Sequence, residues 1–417
     1  MRCPGLGAER AGGGTPLAAA MNQARLDTRY ARALRLALLA GLAVTQAAFA
    51  DWGGWIVLEG RWFPDKPLYP PQSAGDASIA LRPEYRTQAG DLSFALVPFL
   101  RVDSEDRERT HADLREANVR FDAWGLSWLV GVGQESWGVA ESYHPVDIVN
   151  QTDFVEDIAT DEKLGQPMIQ AKRLTDWGTV QLLVLPGFRE RTFPSEHGRL
   201  YLPIDFEHPI YQSPQNERHV DLALRWAKTF GTWDLGLSYF WGTRRDPRLE
   251  PDPAKGLASV YYDLIHQVGL DLQGAVGNWT FKLEYTYRDT PVQRYSAAVG
   301  GAEYTLYGVA DTAADLSLYA EYTYDGTDNT LATLYQNDVF VGARFAFNDL
   351  QSTEVQLGVL SDLEQDSLLW RLDGSRRLGE NWKLRLTLQG FPRTAPGEPA
   401  YYWRTDGYAR LELLRYF

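Results

Sequence analysis

The sequence predicts an all-β fold, a transmembrane antiparallel up-and-down β-barrel of about 18 strands. Three observations predict it. Short segments alternate apolar and polar residues along most of the chain. Tight turns take turns with longer polar connections. Aromatic residues gather near the ends of the segments.

Alternation is clearest at Trp279-Thr280-Phe281-Lys282-Leu283-Glu284-Tyr285-Thr286-Tyr287-Arg288, where every odd position is apolar or aromatic. Successive side chains of a strand face opposite sides, so one face suits lipid and the other water. The same pattern recurs at Asp221–Trp226, Glu354–Val359 and Trp382–Gln389. One such segment also fits a soluble sandwich; the repetition along the chain is what favours a barrel.

Strands are expected near 52–63, 76–88, 91–103, 110–122, 125–134, 165–174, 177–187, 217–230 and 232–243. They continue near 257–275, 278–290, 300–309, 314–325, 335–347, 351–362, 366–378, 381–391 and 403–417. A count of 16 would keep the same parity. One set of connections is tight and rich in Gly, Asn and Asp, as at Gln88–Asp91, Trp124-Gly125, Phe230–Thr232 and Val276–Asn278. The other set is longer, including loops 134–165, 188–216 and 243–256. Short turns at one end and long loops at the other are the pattern of a bacterial outer-membrane barrel, with both chain termini on the short-turn, periplasmic side.

Trp124, Trp177, Trp233, Trp279 and Trp382 sit at or beside short turns. Tyr239 with Trp241, Tyr285 with Tyr287, and Tyr322 with Tyr324 mark the far ends. Two aromatic belts are the signature of two lipid–water interfaces. The climb from Trp233 to Trp241 is roughly 20 Å at about 3.3 Å per residue and a tilt near 40°.

The first residues read as an address. After Met21 come Arg25, Arg29, Arg32 and Arg35, an apolar stretch from Leu36 to Val44, and Ala48-Phe49-Ala50. This is the charged, apolar and small-residue order of a cleaved signal peptide. Residues 1–50 are therefore expected to be an upstream extension plus signal peptide, with the barrel occupying 51–417. The apolar run is shorter than a spanning helix requires. The single cysteine, Cys3, falls in the discarded part, so the exported chain has neither a disulfide nor thiol chemistry. A net charge of −14 argues against nucleic acid as a partner.

The chain ends Leu411-Glu412-Leu413-Leu414-Arg415-Tyr416-Phe417. This resembles the outer-membrane barrel family, whose last strand closes on Phe and carries alternating apolar residues read by the barrel-assembly machinery. Phe417, Leu413, Leu411 and Ala409 match that alternation; Arg415 departs from it. The resemblance implies an outer-membrane location, with lipid and lipopolysaccharide as surroundings and the assembly machinery as a partner through Phe417.

With Trp and Leu towards lipid, the opposite faces line the interior. Arg82, Arg86, Arg120, Arg225, Lys282, Arg288, Arg344, Arg371, Arg385 and Arg410 are the pore-lining candidates. Guanidinium groups there suit carboxylates or phosphates, while arginine–carboxylate ladders that only brace the wall are equally a feature of water-filled barrels.

Loop 134–165 is the outstanding connection. It carries eight carboxylates and one lysine, Lys163. Glu141, Asp147, Asn150, Asp153 and Asp157 are candidates for a constriction formed by folding inward against the arginine wall. Pro145–Asn150 contains apolar residues that a wholly solvated loop would not need. Gly133-Gln134, Trp137-Gly138 and Pro145-Val146-Asp147-Ile148-Val149-Asn150 together resemble a motif of uncharacterised porin-like barrels near the alginate-export porins. In those the final Asn is followed by proline, where Gln151 stands here. That likeness implies an 18-stranded channel or export conduit.

Glu141, Ser142, His144 and Asp147 can be written as a hydrolase set, but sequence neighbours fix no geometry. His197, His208 and His219 have no recognised metal-ligand spacing. No cofactor, metal or enzymatic activity is expected. The expected function is a porin-like channel passing small polar, possibly anionic, solutes by passive diffusion. The alternatives are a non-conducting barrel in a lipid or polymer export complex, and an outer-membrane lipid hydrolase.

Overall fold

The computed structural model describes residues 52–158, 162–328, 331 and 333–417. The expected signal peptide lies outside the described residues.

The strands, in order, are β1 (Trp52–Trp62), β2 (Gly75–Ala89), β3 (Leu92–Asp103), β4 (His111–Ala123), β5 (Leu126–Gly133), β6 (Gln166–Thr175) and β7 (Gly178–Pro186). Next come β8 (Ile204–Tyr211), β9 (Val220–Phe230), β10 (Trp233–Thr243), β11 (Arg248–Asp252), β12 (Leu257–Tyr262), β13 (Leu264–Val276) and β14 (Trp279–Asp289). The last seven are β15 (Arg294–Leu306), β16 (Asp315–Asp325), β17 (Asn337–Ala346), β18 (Glu354–Asp362), β19 (Leu368–Leu378), β20 (Trp382–Arg393) and β21 (Tyr408–Tyr416). A single helical turn, α1 (Pro399–Tyr402), lies in the last long loop.

Eighteen strands form one antiparallel sheet in which chain neighbours pair, β7 to β9 and β10 to β13 included. The sheet closes on itself where β1 pairs with β21, from Trp55↔Tyr416 to Trp62↔Ala409. Closure pairs the first wall strand with the last, so neither is left as a full-length edge for lipid to punish.

β8, β11 and β12 form a separate small sheet in the long loops. Here the structure corrects two expectations. The segment 257–275 is two strands, divided at Asp263, whose carboxylate binds Arg248 of β11 at 2.7 and 3.1 Å. The loop 188–216 contains β8. Alternation reports a half-buried strand but not which neighbour covers it; Val260 and Tyr262 are buried against loop residues rather than in the wall.

The outward faces are apolar and exposed, as at Leu222, Leu224, Leu237, Phe281 and Leu283. Trp124, Trp177 and Trp279 lie exposed at the short-turn end, and Tyr239, Tyr285, Tyr287, Tyr322 and Tyr324 at the other. Arg415, which breaks the terminal alternation, lies over the ring of Trp382 at 5.6 Å, a cation–π contact available to an aromatic-belt position.

β4 carries a bulge. Val97↔Glu116 is followed by Pro98↔Leu114, so Arg115 is an extra residue. The bulge turns Arg115 and Glu116 both towards the interior and marks where β4 loses its partner on the β5 side.

Candidate functional site

Loop 134–165 leaves the wall between β5 and β6 and runs through the interior. Asn150 fastens its base. Its amide donates to the carbonyls of Gly133 (2.9 Å) and Leu164 (2.8 Å), and its oxygen accepts from Glu135 N (2.9 Å). The return limb is held by Asp153 N to Glu162 O and Leu164 N to Gln151 O, each 2.8 Å. Asp147 pairs with Lys163 at 3.1 Å.

The apolar residues of the loop explain its direction. Trp137, Val146, Ile148 and Val149 are buried against Leu129, Met168, Leu183, Leu185, Ala223, Phe240 and Ile265. Those are inward positions of β5, β6, β7, β9, β10 and β13. This side of the interior is therefore a packed core, where removing such apolar surface from water is worth roughly 1.5–3 kcal/mol per large side chain.

Beyond that core the loop meets the opposite wall through its backbone. Val139 N and Ala140 N donate to Glu284 Oε1 at 2.7 and 2.9 Å. Glu141 N and Ser142 N donate to the two carboxylate oxygens of Glu321 at 2.8 and 2.9 Å, and Ser142 Oγ donates at 2.5 Å. Tyr143 donates its hydroxyl to Asp325 at 2.6 Å, and burial pushes the phenol's pKa well up. Arg288 and Gln267 donate to Pro145 O at 3.1 and 3.3 Å. Gly138 is required where the loop meets Glu284. Its φ is +121°, and a Cβ would lie 2.7 Å from Glu284 Oε1.

The loop carboxylates pair with basic groups of the wall. Glu141 accepts from Lys282 at 2.5 Å and lies 3.9 Å from Arg344. Asp153 binds the buried Arg115 and lies 3.4 Å from His111 Nε2. Burial alone would push the Asp153 pKa up, but the His111 hydrogen bond and the Arg115 charge win and hold it below the usual range. Glu156 pairs with Arg101 at 2.7 Å, and Asp157 with Arg371 at 2.9 Å and Arg410 at 3.2 Å.

The remaining pore-lining candidates divide. Arg225 forms a two-pronged pair with Asp271 at 2.6 and 2.8 Å and lies over Trp137. Arg82 sits 3.7 Å from Glu84, Arg86 binds Glu116 at 2.6 Å, and Arg120 sits 3.7 Å from Glu116. Arg385 lines the large cavity described below. Glu284 and Glu321, the acceptors of the loop backbone, are inward by alternation, but nothing local singles them out.

Two cavities flank the loop. One, about 480 Å³, lies against β17–β21 and is bounded by Glu141, Asp157, Arg371, Lys383, Arg385 and Arg410 among others. The second, about 160 Å³, lies under the long loops beside Tyr143, Arg191, Asp246, Arg288 and Trp403. Ser142, Ile158, Leu334 and Tyr335 line both and stand between them. Tyr335 stacks on Tyr143 with ring centroids 4.6 Å apart. On the long-loop side, Phe63, Phe193, Leu200, Leu202, Phe391 and Trp403 form an apolar plug with Ile158.

Ser142 and His144 are committed to Glu321 and Glu284, so each holds the wall rather than facing the other as a hydrolase pair. His197, His208 and His219 each lie beside a different carboxylate, Glu196, Asp205 and Asp221. His111, Asp153 and Glu156 do converge, with donor atoms within 4.8 Å. Arg115 and Arg101 already neutralise those carboxylates and would repel a cation.

No protein-family model matches the chain, and no curated protein matches it in sequence. Solved structures match it in fold. The Escherichia coli outer-membrane protein Wzi, described as a carbohydrate-binding β-barrel involved in group 1 capsule assembly, aligns with a TM-score of 0.51 at 10% identity, over 86% of this chain and 83% of Wzi. The fold is that of an outer-membrane β-barrel. Acinetobacter baumannii OccAB3 aligns at 0.47 and 10% identity, over 88% of this chain and 99% of its own. Pseudomonas aeruginosa OccK3 aligns at 0.47 and 10%, over 88% and 95%. The barrel resides in the bacterial outer membrane, its apolar band and aromatic belts against lipid.

Proposed function

We propose that this outer-membrane barrel is a narrow porin-like channel for small polar solutes. The observation that carries it is the pair of cavities that share Ser142, Ile158, Leu334 and Tyr335 in their linings. The solute path runs from the short-turn mouth along β17–β21, past these residues, and out beneath the long loops. Loop 134–165 sets the width, with Glu141, Asp147, Asn150, Asp153 and Asp157 holding its shape.

The wall of this path carries no strong net sign. Glu141, Asp157, Glu162, Glu354, Asp373 and Glu412 face Arg371, Lys383, Arg385 and Arg410, while Lys282 and Arg344 engage Glu141 from beside. Charge of both signs at close quarters suits hydroxylated or zwitterionic solutes better than simple anions. Within it, Lys383 and Arg385 have no ion-pair partner among the described residues and offer the one local bias towards a carboxylate or phosphate.

Planar-bilayer recording of the purified barrel tests this reading. Small, discrete conductance steps with weak ion selectivity are expected, and complete absence of current overturns it. A second reading, a non-conducting barrel that serves polymer or lipid export, is favoured by the apolar plug of Phe193, Leu202 and Trp403. It predicts no current and retention of a surface polymer on the folded barrel.

A further inference from the structure

The barrel wall opens beside the upper part of β4. β4 pairs with β5 only from Ala117↔Val132 downwards, so His111–Glu116 has no strand beside it on that flank. Five residue steps of a strand make a notch roughly 16 Å long. Prolines mark its borders. Pro98 faces the β4 bulge. The β6–β7 ladder stops at Ile169↔Val184, short of Pro167 and Pro186, neither of which has an N–H to give. Where the loop returns at Gly165, the chain fills the base of the notch so tightly that a Cβ would lie 2.0 Å from Leu114 O.

A hollow of about 460 Å³ occupies the notch. Outward-facing Pro98, Leu100, Leu114, Val132 and Pro167 line it, and so do Phe99 and Asp113, which point inward on the same strands. Arg189, from the segment that follows β7, also lines it where the strands part. At its floor Arg189 donates through Nη1 to Asp113 (2.6 Å) and to Gly165 O (2.8 Å). Its Nε and Nη2 engage nothing among the described residues, and the side chain is 33% exposed. Behind Arg189 lies a second hollow bounded by Glu108, Asp153, Glu190 and Glu217, and by Asp113 and Arg189, which it shares with the first.

We propose that this notch holds an anionic membrane lipid, with an acyl chain along Pro98, Leu100, Leu114, Val132 and Pro167 and its phosphate on the free edge of Arg189. The occupant follows from the surroundings and the charge. The mouth opens on the lipid-facing wall, its lining is apolar, and one guanidinium edge is unused. The carboxylates behind Arg189 repel an anionic head, so the lipid docks in the wall and does not pass through it. The site is independent of whether the lumen conducts.

The test places a bimane fluorophore at Val102→Cys, the exposed outward position next above the notch on β3, in a Cys3→Ser background. A second probe at Leu237→Cys on β10 is the control. The barrel is reconstituted with brominated phosphatidylglycerol or brominated phosphatidylcholine in a non-brominated host. Both lipids carry a phosphate, but the choline of phosphatidylcholine cancels its charge; the uncancelled charge of phosphatidylglycerol on Arg189 predicts about ten-fold preferential quenching at position 102, and none at 237. Arg189→Gln should abolish the preference, Arg189→Lys should retain most of it, and Leu114→Trp should block quenching by filling the groove. Equal quenching by the two lipids at position 102, or a preference that survives Arg189→Gln, overturns the proposal. If Arg189→Gln does not assemble, quenching that persists unchanged in the Leu114→Trp barrel overturns the proposal.

Discussion

Asp157, in the loop that crosses the barrel, forms a two-pronged ion pair with Arg371 on β19, both contacts at 2.9 Å. Arg410 on β21 reaches the same carboxylate at 3.2 Å. The pair ties the far limb of the loop to the wall that bounds the larger cavity. Replacing Asp157 by Asn keeps the size and removes the charge. Two guanidinium groups are then left without it, at a cost of about 1–3 kcal/mol. The expected outcome is a noisier and larger single-channel conductance with little change in heat-modifiable folding on gels. A conductance identical to the parent would show that this contact does not hold the path.

Glu284 offers a sharper test, because it accepts backbone rather than side-chain hydrogen bonds. Glu284→Ala orphans the buried N–H of Ala140, at a cost of about 1–3 kcal/mol, and frees the half-buried N–H of Val139. The loop should become cleavable near residues 138–146 by added protease while the barrel stays folded. Glu284→Gln retains one acceptor oxygen and should protect partially.

Removing the insert is the largest perturbation. A short Gly-Ser link in place of 141–162 deletes the contacts to Lys282, Glu321, Arg371 and Arg410 together, while the apolar anchors around Trp137 and Met168 remain partly filled. Conductance should rise several-fold, as expected for a barrel of this size without its internal segment. An unchanged value would assign the limiting width to the apolar plug at the long-loop end.

Acid should loosen the loop. Asp153 is held below its ordinary pKa, so its contribution is complete above the unfolded value, about 3.9. It fades as pH falls through the depressed folded value. Current fluctuations should therefore grow below about pH 4. Asp153→Asn should show the acidic phenotype at neutral pH, and the pH dependence should shrink with it.

Phe417 closes the seam, its N–H donating to Gly54 O at 3.1 Å. Deleting it should lower the yield of folded barrel in the outer membrane. The barrel that does assemble should conduct normally, since the residue is remote from both cavities. Normal yield on quantitative heat-modifiability gels would remove Phe417 as the mark read during assembly.

Much of the architecture is legible in the chain because its causes are local. Alternation at Trp279–Arg288 sets which residues face lipid, and Gly and Asn at the tight turns set where strands reverse. The eighteen wall strands, the parity of their loops and the inward placement of Arg225, Lys282 and Arg371 follow from these. The apolar run Pro145–Asn150 likewise signals that its loop is not solvated. What the loop touches is not local. Val139 and Glu284 are 145 residues apart, and only closure of the ring brings them together. The same holds for β8, β11 and β12, whose alternation is indistinguishable from that of a wall strand until the neighbour is known. It holds too for the notch beside β4, where each strand reads normally and the gap arises from the unequal heights at which β4, β5 and β6 end. Local alternation and turn chemistry thus determined a barrel and its two faces; tertiary closure decided what fills it and where its wall is open, because those contacts depend on distance in space rather than along the chain.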